Sequence, residues 1–174
     1  MSNLTRFQTG DTAVVNASYT RPANTTQYTA NDAIANSTTA PVVLTFDNAA
    51  LGGGGSGIIH TIGIVDSANQ ATKPQIRLWL FDTSPTAVND ADPFTISDAE
   101  HATALPNGIQ DFTSWLEGDK TAGTGNCSSH ATSLAIPFKC TSNSDSLYGL
   151  LEVRNTYTPT SAEVFTVRLG ILQD

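Results

Sequence analysis

The sequence predicts an all-β protein: a single antiparallel β-sandwich, jelly-roll-like, with an extended N-terminal arm and one or two short helices. Three observations carry that prediction. Charged residues make up only 14% of the 174-residue chain, about half the usual share. Thr, Ser, Asn and Ala stand in their place, and these suit turns and flat β surfaces better than long exposed helices. Short runs rich in apolar, β-branched and aromatic residues recur between Gly, Pro, Asn and Ser clusters. The run Val164 to Leu172 alternates with period two, with Phe165, Val167, Leu169 and Ile171 on one face and Val164, Thr166, Arg168 and Gly170 on the other.

The elements follow in order. Residues 1–40 differ in kind from the rest: Thr12, Val14, Asn16, Ser18 and Thr20 alternate with Ala13, Val15, Ala17 and Tyr19, and Arg21-Pro22 interrupts. With few large apolar residues this stretch cannot form a core alone. It is expected to be an arm or edge strands, packed on the remaining domain (41–174) or on a neighbouring subunit, with Thr5 to Tyr28 docking on another chain. Arg6, Phe7, Tyr19, Arg21 and Tyr28 are the expected partner-binding residues. Strands are predicted over Pro41 to Phe46, Gly57 to Val65, Gln75 to Phe81, Gly108 to Phe112, Leu134 to Phe138, Leu147 to Arg154 and Val164 to Leu172. In Gln75 to Phe81 both faces carry large residues, so that strand should be central. Ser97-Asp98-Ala99-Glu100 has the form of a capping box and predicts a short helix over Ser97 to Ala104; a second is expected over Thr113 to Gly118. Gly52 to Gly55 reads as a wide, flexible connection.

Composition also bounds function. Sixteen acids against eight Lys plus Arg give a net charge of −8, the wrong sign for gripping phosphate backbones. Half of the acids fall between Asp82 and Asp119, with no Lys or Arg among them; the expectation is a solvated outer face, the alternative an acidic face that meets a basic capsid patch or a cation. No run approaches the roughly 20 apolar residues of a membrane-spanning helix, and Met1 to Phe7 lacks an apolar signal core. Synthesis in the cytoplasm is expected, where Cys127 and Cys140 stay thiols, with room for a disulfide only after lysis. His60, in a strand, and His101 and His130, in loops, lack zinc-ligand spacing. Asn89-Asp90-Ala91-Asp92 alternates oxygen ligands without the rest of a calcium loop. Glu100 and Glu117 are a weak glycosidase pair, and no nucleophile motif occurs. Neither a cofactor nor enzymatic activity is expected.

Gly52 to Ile58, Leu78-Trp79-Leu80-Phe81-Asp82, Pro85-Thr86, Asn89-Asp90, Ile96-Ser97-Asp98-Ala99, Leu147-Tyr148-Gly149 and Thr158-Pro159 with Ser161-Ala162-Glu163 together span most of the chain. In these segments it resembles small proteins encoded beside the major capsid protein of tailed bacteriophages. The resemblance implies a capsid decoration, or cement, protein: a β-sandwich, commonly a homotrimer, on the outer virion surface, contacting the major capsid protein and neither nucleic acid nor membrane. Similar small virion proteins also serve in tails and fibres. The alternative from the residues alone is a carbohydrate-binding sandwich that stacks sugars on Trp115 or Tyr157.

Overall fold

A computed structural model describes residues 10–118 and 125–174. Eleven strands and one helix follow in order: β1 (Asp11–Thr20), β2 (Ala33–Ile34), β3 (Leu44–Phe46), β4 (Ser56–Asp66), β5 (Ile76–Phe81), α1 (Asp98–Ala102), β6 (Ala104–Phe112), β7 (Leu116–Glu117), β8 (Cys127–Ala131), β9 (Ile136–Lys139), β10 (Leu147–Val153) and β11 (Val164–Gln173). They form two antiparallel sheets. One runs β1-β11-β4-β8-β7, with β9 beside β8 on the same edge of β4; the other runs β2-β10-β5-β6, with β3 beside β2 on the same edge of β10. Among the described residues no helix is long and apolar enough to cross a membrane.

The core is what the period-two patterns dictate. Ile59, Ile62, Ile64, Phe165, Val167, Leu169 and Ile171 of the six-stranded sheet face Ile76, Leu78, Leu80, Leu147, Leu151 and Val153 of the other, all essentially inaccessible to water. Each such side chain contributes about 1.5–3 kcal/mol of burial. As expected, β5 is central, between β10 and β6.

Of the two forms expected for the first forty residues, the described part, 10–40, takes that of edge strands packed on the remaining domain and not that of an extended arm; other expectations need correction. The whole of β1 pairs antiparallel with β11, from Asp11 opposite Gln173 to Thr20 opposite Val164, and β2 pairs with β10. Val15 and Tyr19 point into the shared core, so this core crosses the boundary drawn at residue 40. The glycine run is a seated turn. Gly52 and Gly54 adopt φ of 84° and 76°, a Cβ on Gly53 would lie 2.8 Å from Asn143 Cα, and Gly54 N–H donates to Ser144 O at 2.9 Å. No helix forms over Thr113 to Gly118. Leu116 and Glu117 pair instead with Ser128 and Cys127, and the short uncapped segment has nothing to support a helical nucleus. The helix at Ser97 does form, with both halves of its capping box, but ends at Thr103; Pro106-Asn107-Gly108 lies within β6.

Candidate interaction surface

The expected contact residues divide. Arg6 and Phe7 lie outside the described residues; Tyr19, Arg21 and Tyr28 are 1%, 2% and 0% exposed. Arg21 leaves β1 and turns inward. Its Nη2 lies 2.9 Å from Asp90 Oδ2, its Nε donates to Tyr28 Oη, and its guanidinium sits 4.6 Å from the Tyr28 ring centre. Tyr28 Oη in turn donates to Asp90 Oδ1 at 2.6 Å, and Ala35 N–H donates to the same oxygen at 3.0 Å. A buried charge needs such a closed set of partners. Burial and the neighbouring Asp90 charge raise the Tyr28 phenol far above its ordinary range. Tyr28 also stacks on Tyr157, with centroids 6.5 Å apart. These three side chains therefore pin the segment to its own domain.

Asp90 also corrects the reading of the acidic segment. It is 3% exposed and occupied by Arg21, so it is no outward calcium ligand. Among the described residues no three His, Cys, Asp or Glu side chains are grouped to hold a metal. Asp111 makes a two-pronged bond to Arg77 at 2.7 and 2.9 Å, and Glu117 pairs with Lys73 at 3.2 Å. Glu100 closes the helix cap; N–H donors from Ser97 and Thr86, with the Ser97 hydroxyl, hold its carboxyl down to about 2. Four of the eight acids are thus tied to a cation or to the helix cap, while Asp82, Asp92 and Asp98 face water to differing degrees. Asp119 lies outside the described residues.

Neither expected sugar platform presents a free ring. Tyr157 is 1% exposed. Trp115 is half-buried against the core, and its Nε1 donates to Pro74 O at 2.6 Å. Trp79, on the outer face of β5, donates to Glu152 Oε2 at 2.9 Å. Phe94 stacks on it at 5.5 Å, and His101 of α1 meets it edge-on at 5.9 Å. The segment 82–103 thus covers part of the outer face of the five-stranded sheet.

Two buried groups lie outside any expectation. Asp66 and Glu163, 0% and 1% exposed, form a carboxyl pair. Glu163 accepts from Tyr157 Oη at 2.5 Å and from Thr160 N–H at 2.6 Å. Desolvation, then the charge of Glu163, pushes Asp66 up to about 9, so the pair holds a proton at neutral pH. The two thiols stand far apart. Cys127 is opposite Asp66 on β4, and Cys140 follows Lys139, which is opposite Ser56. Ten residues of strand, about 33 Å, separate those positions, so Cys127 and Cys140 cannot bridge, after lysis or otherwise. Both are buried thiols, pushed up by burial to about 12 and about 11.

The outer face of the six-stranded sheet differs from everything above. Alternation and register place Thr12, Val14, Asn16, Ser18 and Thr20 of β1 beside Leu172, Gly170, Arg168, Thr166 and Val164 of β11, followed by Ile58, Thr61, Gly63 and Val65 of β4. His130 and Ser128 of β8, and Pro137 and Lys139 of β9, complete it. Val14, Ile58 and Leu172 are 61%, 40% and 41% exposed. His130 stands on a strand, not in a loop; β8 has the sequence Cys-Ser-Ser-His-Ala, with no β-branched residue to announce it. Within the described strands this face carries no carboxylate; Asp174 stands at its corner, beside Ser56. A groove of about 310 Å³ runs across it between Val14, Thr61, His130 and Arg168, floored by Gly63 and Gly170.

Fold and surface together define an all-antiparallel β-sandwich in which, among the described residues, one outer face is partly covered and the other is bare. No family model matches the chain, and no curated protein sequence matches it. Among solved structures, a chain of the cyanophage Pam1 capsid asymmetric unit aligns with all of this chain and 93% of its own length, at 14% identity and a TM-score of 0.35.

Proposed function

We propose that this protein is a non-enzymatic structural component of a tailed-phage virion, a homotrimer that decorates the outer capsid and stabilises it through contacts with the major capsid protein. The supporting observation is a sandwich in which, among the described residues, one broad sheet face is uncovered and its strands present no carboxylate. The segments that resemble small capsid-associated proteins, such as Leu78 to Asp82 and Thr158 to Glu163, point the same way. The physics of such a role is mass action: a protein that binds only the assembled shell shifts the equilibrium toward that shell by its binding free energy. Its net charge of −8 keeps the free protein soluble and off the packaged nucleic acid.

The test is co-sedimentation of the purified protein with DNA-free shells of the major capsid protein, with light scattering on the free protein. Saturable, stoichiometric binding that raises the shell's melting temperature is the expected result, along with a trimeric mass. Protein that stays in the supernatant at all shell concentrations refutes decoration.

A further inference from the structure

Resting on the capsid reading above, we propose that the bare outer face of the six-stranded sheet is the docking surface, and that it binds a carboxylate-rich patch of the major capsid protein. The first argument is where the free cations stand. Arg21, Lys73, Arg77 and Arg154 are each paired with a carboxylate, from Asp90, Glu117, Asp111 and Glu152. Among the described residues that leaves Arg168 and Lys139, and both lie on this face, as does His130. In a chain with twice as many acids as bases, this is the surface that attracts carboxylates, and such complementarity selects partners and speeds encounter.

The second argument is shape. A Cβ on Gly63 would lie 3.0 Å from His130 Nδ1, and one on Gly170 would lie 2.2 Å from Thr61 Oγ1. The two glycines let those side chains lie across the strands and leave the groove beside Arg168 open to an inserted Asp or Glu. Val14, opposite Gly170, and the pair Leu172 and Ile58 add an apolar margin at one end, where water is displaced on docking. Four strands across and ten residues long, the face measures about 600 Å². That approaches the roughly 800 Å² each partner contributes to a standard interface.

The same features reject other occupants. A second copy docked face to face across a two-fold axis sets cations against a face whose described strands carry no carboxylate, Asp174 standing only at its corner, which is unfavourable. Nucleic acid needs many phosphate contacts, and two unpaired cations on a molecule of charge −8 do not supply them.

The experiment titrates DNA-free shells of the major capsid protein with wild type, Arg168→Glu, Arg168→Lys and Thr95→Glu, at low and high salt. Arg168 is exposed, without a side-chain partner among the described residues, so thermal melts of all four should coincide. Thr95 lies in the segment that packs over the opposite sheet. Arg168→Glu is expected to weaken binding by about tenfold or more, Arg168→Lys to retain most of it, Thr95→Glu to stay near wild type, and wild-type binding to fall in salt. Equal binding by wild type and Arg168→Glu overturns this surface and leaves the capsid reading standing. Failure of wild type to bind shells overturns both. An oligomer that Arg168→Glu dissolves makes the occupant a second copy and overturns the proposal, as does a gel shift with DNA that Arg168→Glu abolishes.

Discussion

Replacing Asp66 by Asn should flatten the dependence of stability on pH, and the structure fixes the sign. Asp66 is buried beside Glu163 and pushed up to about 9, whereas in the unfolded chain it titrates near 3.9. Between those values the folded state holds a proton that the unfolded state releases. Stability is therefore greatest below about pH 4 and is lost as pH rises toward 9, at up to about 1.4 kcal/mol per unit for one proton. From pH 5.5 to 8.5 the ceiling is about 4 kcal/mol, a large share of the roughly 5–15 kcal/mol that holds a domain together. The bonds from Ala68 N–H and the Cys127 thiol favour the carboxylate and reduce it. Asn at this position keeps an acceptor for Ala68 N–H and a donor toward Glu163 without taking up a proton. Urea unfolding followed by tryptophan fluorescence at pH 5.5, 7 and 8.5 should show wild type losing stability relative to Asp66→Asn, and the variant the more stable at pH 8.5. Parallel curves would refute the assignment of the proton to this pair.

Arg21→Met leaves Asp90 buried without its cation and should cost about 3–5 kcal/mol in urea unfolding; a loss under 1 kcal/mol would mean that Asp90 finds water or another partner. Deleting residues 1–28 removes β1, Tyr19, Arg21 and Tyr28 together and should yield protein without a cooperative melt, whereas a folded truncation would show the segment to be dispensable. Thiol titration of native protein should find Cys127 and Cys140 unreactive, with both reacting in denaturant and no bridge under oxidant; one internal disulfide would contradict the strand register. Gly53→Ala must push Asn143 from 2.8 Å and should destabilise by about 1–3 kcal/mol in the same urea assay.

Where the sequence was legible, a local rule acted alone. The strands β4, β5, β10 and β11 announce themselves because one or both of their faces are packed with large apolar side chains, and the helix at Asp98 because its capping box is a contact within four residues. β8 was missed because Cys, Ser, His and Ala carry no β preference; it is a strand because β4 offers it a free edge, a fact 60 residues away in sequence. The first forty residues stayed open between an arm and edge strands for a related reason. A count of large apolar residues says nothing of where they dock, and Val15, Tyr19 and Tyr28 complete a core built by the rest of the chain. Partners for Tyr28 stand at Asp90 and Tyr157, beyond the reach of any window along the chain.

Charge was the least legible quantity, because a sum along the sequence records neither depth nor pairing. The eight acids between Asp82 and Asp119 look like one solvated face, yet Asp90 is a core counter-ion, Asp111 and Glu117 have distant cations, and Glu100 is bound into a helix cap. Each of those pairings uses up a cation or buries an acid, and the residue left over is informative only after the pairing is done. Arg168 sits in an unremarkable alternating strand, one base among eight. It becomes distinctive once Arg21, Lys73, Arg77 and Arg154 are found paired, and once register sets it opposite Gly63 and Asn16 on a face whose described strands carry no acid. The candidate surface is thus a property of strand pairing: shifting β11 by one residue would turn Arg168 into the core and Leu169 to solvent. The ten-pair ladder with β1 and the core side chains Phe165, Val167 and Leu169 fix that register, and so the forces that build the core also decide which charge is offered to a partner.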